Sequence, residues 1–427
     1  MRVLLVSYYF PPFNSVGAVR PGKLARFLEQ QGHEVSILTC SNQPFVEGLP
    51  LEVAADRVSA VPALSVNAPV EWLRGGRSQV AGQGFSNGGS PSAVLGFLGR
   101  VYKTLLHWPD AQLGWVRNAQ RAGAELLGAA RYDLIYASAP PFSGLRVAAF
   151  LSKKFEVPWV AELRDLWVDN HAYAFPAWRR AIERRWEARV LDGASALVTV
   201  SRPLVEKLRR FGVPVWEIRN GCDPEDFQNL AVPEGFTPGA KGLDIVFTGN
   251  IYEGHYDIDA FCGGIANYVS RGGVARVHVA GRNIGALKQA AQSHGIAELF
   301  RFQSTVSRAS ALAMQRYADV LLTFLWDGGA QEGVYSAKLF EYAGSGRPIL
   351  AIGRQHSDVG DLISFSGIGQ VRDNVQGIAD QLLSWCNAKC TEGELKVFPS
   401  KDYDFTRRAQ FCLLEEHLVA LLNKLDH

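Results

Sequence analysis

Lys338 and Glu341 stand three residues apart in the run Glu332–Pro348, EGVYSAKLFEYAGSGRP. On a helix that spacing puts an ammonium and a carboxylate on one face. Free N–H groups at the start of such a helix, near Tyr335, Ser336, Ala337 and Lys338, are natural donors to a phosphate or diphosphate. One turn further, the Glu341 carboxylate could grip a ribose diol. The same Lys-x-x-Glu pair taken alone is an exposed ion pair worth only ~0.2–0.5 kcal/mol. Gly344 and Gly346 would end the helix ahead of a strand initiated at Pro348.

Other candidates sit just after apolar runs. Gly17 follows the first such run, where the absence of a side chain would let backbone approach a diphosphate, or simply serve a turn. Arg20, at the start of the next helix, could reach phosphate or acceptor, or form a surface salt bridge. Ser138 and Pro141 lie in SAPPFS, a segment that could shape an acceptor site or be an ordinary Pro-rich turn. Glu162-Leu163-Arg164-Asp165-Leu166-Trp167 follows the fourth run. There Asp165 could orient a hydroxyl or accept its proton and Arg164 could hold an anion, unless the two merely pair with each other. His171 is nearby. Gly249 and Asn250 follow the first apolar run of the second half, and Arg282 follows the next, where a solvated loop arginine is an equal alternative.

These residues need strands to carry them, and the chain is long enough to supply several sheets. At 427 residues it spans two or three domains' worth of sequence. A formal charge of +2, with 47% hydrophobic and 20% charged residues, excludes a disordered or nucleic-acid-coating chain. Met1–Phe10 is apolar, but Pro11-Pro12 cuts it short, so a buried strand is expected rather than a leader, and a cytoplasmic protein. No stretch approaches the ~20 apolar residues of a membrane-spanning helix. The scattered cysteines form no paired metal signature, and reduced thiols are expected.

Strand-like and helix-like segments alternate along most of the chain, the pattern of an α/β protein with parallel sheets. Strands are expected near Val3–Tyr9, Val35–Thr39, Asp133–Ser138, Trp159–Ala161 and Ala196–Ser201. After a loose stretch ending at Lys241 the alternation restarts, with strands near Asp244–Thr248, Arg276–Ala280, Leu299–Phe302, Val320–Trp326 and Pro348–Ile352. The helix expected at Ser336–Gly344 carries Lys338 and Glu341, and a closing helix is expected at Phe405–Lys424. This gives a first domain over 1–222, with an insertion at 46–110 that is Gly/Ser-rich over Gly75–Ser92. A linker over 223–241, a second domain over 242–402 and a last helix over 403–427 complete the division. Two doubly wound domains facing each other across a cleft are expected, with ligands beyond the carboxyl ends of the strands.

Several segments in order resemble the GT-B glycosyltransferases of the retaining family four. EGVYSAKLFEYAGSGRP is similar to that family's donor-site signature, and VSYYFPPFNSVGAVRPGKLARFLEQQGHEVSILT to its opening strand and glycine loop. YDLIYASAPPFSG, WVAELRDLW, LVTVSRPLVEKL and IRNGCDPEDF are similar to the strand-end loops and hinge that follow. The resemblance implies two Rossmann-like domains and transfer of a sugar from a nucleotide diphosphate sugar, with a UDP-sugar ahead of a GDP-sugar. It implies retention of configuration and no metal or other cofactor. The implied acceptor is a saccharide or lipid-linked saccharide of bacterial surface polysaccharide assembly (O-antigen, capsule or exopolysaccharide). Glu341 matches the signature's second glutamate, which holds the ribose, whereas Gly333 stands where the first is expected and Glu332 is displaced by one. The cation that other members place after the second domain's first strand is moved here to Lys338 and, second, to Arg282. Lys338, Arg164 and Asp165 are thus the catalytic candidates. Gly17, Gly249, Asn250, Arg282, Tyr335, Ser336, Ala337, Lys338 and Glu341 are those for the donor; Arg20, Ser138, Pro141 and His171 are those for the acceptor.

A nucleotide-sugar epimerase and a non-catalytic scaffold of the same fold are the alternatives. A nicotinamide oxidoreductase is disfavoured because no G-x-G-x-x-G follows either opening strand. Asp257-Ile258-Asp259 has the spacing of a metal-binding pair but falls at a helix start. Finally, Trp178, Ile182, Trp186 and Val190 recur every four residues beside Arg179, Arg180, Arg184, Arg185 and Arg189. That helix could rest on the cytoplasmic face of the inner membrane or pack its apolar stripe on the sheet. Ala93–Trp108 is a second candidate lipid contact.

Overall fold

The computed structural model describes residues 1–64, 101–170, 173–237, 241–251, 254–326 and 335–425. It divides into two compact units, Met1–Arg219 with Phe411–His427, and Asn220–Gln410.

In the first unit β1 (Arg2–Ser7), β2 (Glu34–Cys40), β3 (Val58–Val61), β4 (Leu134–Ala139), β5 (Trp159–Leu163), β6 (Ala196–Thr199) and β7 (Val215–Glu217) form one sheet. Its order is β3-β2-β1-β4-β5-β6-β7, and every pairing is parallel. Parallel strands covered on both faces need apolar residues at successive positions. Accordingly β4 and β5 are buried throughout. Along β1, Val3 and Leu5 enter one core layer while Leu4 and Val6 enter the other, the two-residue alternation of a pleated strand. The covering helices are α1 (Val16–Gln30), α2 (Val116–Ala129), α3 (Ser143–Phe155), α4 (Ala177–Leu191) and α5 (Arg202–Leu208).

In the second unit β8 (Leu243–Thr248), β9 (Ala275–Ala280), β10 (Phe300–Gln303), β11 (Val320–Phe324), β12 (Ile349–Ile352) and β13 (Gly369–Arg372) form a second parallel sheet, ordered β10-β9-β8-β11-β12-β13. Its helices are α6 (Ile258–Ser270), α7 (Gly285–Ser293), α8 (Arg308–Tyr317), α9 (Ala337–Ser345), α10 (Asp358–Phe365) and α11 (Val375–Glu392). The last helix, α12 (Arg407–Leu425), sends Phe411, Leu414 and Leu418 into the first unit's core with Leu24, Leu28 and Val35. In each sheet the strand order reverses once, between β1 and β4 and between β8 and β11. Ligands of doubly wound sheets collect beyond the carboxyl ends at such points.

Three differences from the sequence reading have clear causes. β3, β7 and β13 are strands of three or four residues, too short to show a period. β3 also lies inside the stretch expected to be an insertion, whose Gly75–Ser92 run falls outside the described residues. The expected linker belongs to the second unit, where Cys222 N–H donates to Phe405 O over 2.8 Å and Arg407 pairs with Asp223 over 3.0 Å. The last helix likewise begins before the unit boundary, which falls at Phe411.

Candidate functional site

In the second unit the carboxyl end of β8 is built around glycine. Gly249 has φ +148°, and a Cβ there would overlap the Lys338 ammonium. Gly281, after β9, has φ +159°, and a Cβ there would overlap the Gly249 carbonyl. Only residues without side chains allow these two loops and Lys338 to converge. Tyr342 fixes α9 against the strand end: its hydroxyl accepts from Thr248 N–H over 3.0 Å, and Gln315 on α8 donates to Thr248 Oγ1 over 3.1 Å. Burial raises the Tyr342 hydroxyl to about 12, so it stays protonated. Ser336 caps the helix, accepting from Lys338 N–H.

Lys338 lies over the Phe247 ring, 5.6 Å from its centre. Burial pulls its pKa down to about 8, with Glu341 opposing. Among the described residues its ammonium makes no hydrogen bond or ion pair. The i, i+3 pair with Glu341 does not form. Instead Arg308 donates to Glu341 Oε1 over 2.5 Å and to Asp226 over 2.8 Å. Elsewhere in this unit buried charges are closed: Arg276 grips both oxygens of Asp244 over 2.7 and 2.8 Å, and Lys389 pairs with Asp319 over 2.7 Å. Lys338 is half-buried, a partly desolvated cation without an anion costs stability, and this one lies at the sheet's switch point, beside a helix N-terminus.

In the first unit the hub is Glu162, at the end of β5. It accepts from Arg20 Nε and the Tyr136 hydroxyl over 2.8 Å each, and from Ser138 over 2.5 Å. Burial opposes its charge, but Arg20, Arg164 and the two hydroxyls hold its carboxyl below the usual range. Arg164 donates to the carbonyls of Ala139, Pro140 and Gly17 over 3.2, 2.8 and 3.2 Å, tying the loops after β1, β4 and β5 together. Asp110 accepts from Ser143 N–H and its hydroxyl over 2.9 and 2.6 Å, closing the N-terminus of α3.

The fold is similar to that of several solved structures. A glycosyltransferase from Rickettsia africae ESF-5 matches with a TM-score of 0.57 at 10% identity, covering 99% of this chain and 98% of that one. Anabaena Alr3699/HepE, solved in complex with UDP and glucose, matches at 0.56 and 13%, covering 98% and 100%. Sucrose-phosphate synthase from Thermosynechococcus elongatus matches at 0.55 and 13%, covering 99% and 100%. No curated protein matches the chain in sequence. Residues 17–221 match the family described as glycosyl transferase 4-like domain. Residues 17–221 thus carry a glycosyl transferase 4-like domain, and the chain has the GT-B fold.

In this GT-B fold several residues read as ligand-binding make structural contacts. Arg20 is 3% exposed; besides Glu162 it donates to the carbonyls of Arg219 and Ile218 over 2.8 and 2.9 Å and lies over the Phe411 ring. It faces the core because its position on α1 is an inward one, so the expected reach to phosphate or acceptor fails. Ser138 is buried against Glu162, and Pro141 is buried. Arg164 spends its donors on carbonyls rather than an anion. The Gly17 N–H is taken by the Ser15 side chain over 3.2 Å, and its lack of a Cβ makes room for the Tyr9 ring. Asp165 is half-buried beside Arg164. Arg282 is exposed and donates to Thr305 over 3.2 Å; Asn250 is exposed and Tyr335 half-buried. Asp257 caps α6 and Asp259 pairs with His294. His171, Glu332 and Gly333 lie outside the described residues. Sequence reasoning missed Glu162, Asp110, Arg308 and Tyr342, whose partners are distant in the chain. Only Glu162, a carboxylate ending an apolar strand, carried a visible signal.

The arginine-rich helix is also rotated from its expected stripe. Arg179, Glu183, Glu187 and Val190 are buried on α4, and Arg179 pairs with Glu183 over 2.7 Å. Trp178 and Ile182 are 51% and 47% exposed, among exposed Arg180, Arg184, Arg185 and Arg189.

Proposed function

We propose that this chain is a glycosyltransferase that takes a nucleotide diphosphate sugar, a UDP-sugar ahead of a GDP-sugar, and transfers the sugar with retention of configuration. The acceptor we propose is a saccharide or lipid-linked saccharide of bacterial surface polysaccharide assembly. One observation carries the donor site: the half-buried Lys338, its ammonium unpaired among the described residues, at the β8 end and the start of α9. A diphosphate there would supply the missing anion, and the helix N-terminus would add to its attraction. As the glycosidic bond breaks, the leaving diphosphate gains charge that Lys338 is placed to stabilise. Glu341, one turn on, is the proposed ribose ligand. The UDP held by the Anabaena protein of similar fold supports the choice of base.

No metal or other cofactor is proposed; the cationic role falls to Lys338. Asp165 is proposed to orient the acceptor hydroxyl, since in the retaining reaction the departing phosphate can take its proton. The exposed Trp178 and Ile182 amid arginines support a peripheral contact with the cytoplasmic face of the inner membrane. No described helix is long and apolar enough to cross a membrane.

A thermal-shift screen with UDP, GDP and their sugars tests the donor. Stabilisation by one nucleotide series, lost in Lys338→Ala, is the expected result. Shifts unchanged in that variant would remove Lys338 from the site. Donor turnover without any acceptor would favour an epimerase instead.

A further inference from the structure

Arg308 is the first residue of α8, where a cation meets the positive end of the helix dipole. Its guanidinium is compensated from outside the helix. Nη1 lies 2.5 Å from Glu341 Oε1 and Nη2 lies 2.8 Å from Asp226 Oδ2. Asp226 sits on the short turn Pro224–Phe227, so one planar group fastens α9 to a segment more than a hundred residues earlier in the chain. Among the described residues the second oxygen of Glu341, Oε2, accepts no hydrogen bond. A carboxylate held through one oxygen is anchored at that oxygen and keeps the other as an acceptor.

We infer that Arg308 is the positioning residue for Glu341, holding Oε1 so that Oε2 is presented to the ribose hydroxyls of the nucleotide. This rests on the proposed ribose contact of Glu341. A guanidinium suits the task because its separate N–H edges can serve two carboxylates in one plane, which a lysine ammonium cannot do. Without Arg308, Glu341 would sample other rotamers and would lie near only one cation, Lys338. Arg308 itself need not touch the substrate.

The test is calorimetric titration of UDP and 2′,3′-dideoxy-UDP, and of the matching GDP pair, into wild type, Arg308→Ala, Arg308→Lys, Glu341→Ala and the double Ala variant. The ratio of affinities for the hydroxylated and dideoxy forms is read on each protein, so partial loss of folded protein cancels. Wild type should prefer the hydroxylated nucleotide by about tenfold or more. Glu341→Ala should abolish that preference, Arg308→Ala should remove most of it, and Arg308→Lys should keep an intermediate share. Adding Arg308→Ala to Glu341→Ala should change the ratio no further. A preference lost in Glu341→Ala but intact in Arg308→Ala would overturn the positioning role. A wild type with no preference, or a Glu341→Ala that keeps it, would overturn the ribose contact itself and this inference with it.

Discussion

The ammonium of Lys338 occupies the space that a side chain at Gly249 would fill. The two residues lie almost ninety positions apart, and each accounts for the other. A glycine at φ +148° makes the pocket, and a lysine from the helix that follows β11 enters it.

Gly249→Ala should therefore damage donor binding without touching any charged residue. The methyl group would push Lys338 out and force a non-glycine residue into a rarely allowed backbone region, costing about 1–3 kcal/mol of stability. UDP affinity by calorimetry should fall on the order of tenfold, the size of one charge-assisted hydrogen bond. Unchanged affinity would mean Lys338 has no part in binding.

Replacing Lys338 with Met should stabilise the free protein while abolishing donor binding. The half-buried ammonium costs desolvation that Met does not, and Tm should rise about 2–4 °C for each kcal/mol regained. A lower Tm would show that the ammonium has a stabilising partner.

Nucleotide affinity should weaken as pH rises through about 8, because burial lowers the Lys338 pKa to that value and the free protein then loses the charge. Lys338→Arg, charged at every accessible pH, should flatten the profile. The stability effect has the opposite sense. The folded pKa lies below the unfolded value of roughly 10.4, so between the two the unfolded chain binds more protons and this group's contribution to stability rises with pH.

Arg20→Ala should unfold the first unit rather than alter its chemistry. It leaves Glu162 buried without its nearest counter-charge, a loss of about 3–5 kcal/mol, measurable by urea denaturation. Glu162 has a depressed folded pKa, so its contribution is complete above the ordinary carboxylate range and is lost as pH falls through the folded value. An Arg20→Ala protein of wild-type stability but lower acceptor turnover would restore Arg20 to the site.

Trp178→Glu combined with Ile182→Glu should abolish binding to vesicles of phosphatidylglycerol in sedimentation assays and leave Tm nearly unchanged, both side chains being exposed. Equal binding by the variant and wild type would remove this face from any membrane contact.

Both units, their strand alternation and the helix carrying Lys338 and Glu341 were legible in the sequence, because buried parallel strands must be apolar at successive positions and helices must punctuate them. The placement of Lys338 and Glu341 was legible too, since they are near neighbours on one helix. The short strands β3, β7 and β13 were not, nor was the role of Arg20, because a charged residue near the start of a helix reads as exposed until its buried partner is known. Glu162, Tyr136 and Ser138 supply that partner from two strands.

The sequence by itself determined the two α/β units and the helix at the second switch point that carries Lys338 and Glu341, all properties of local pattern. Tertiary structure alone decided which charges are spent and which are left. Arg20 and Arg164 are consumed by Glu162 and by loop carbonyls, Arg308 takes Glu341 from Lys338, and Lys338 remains half-buried beside glycine. Those outcomes depend on distances between residues far apart in the chain, which no spacing along it encodes.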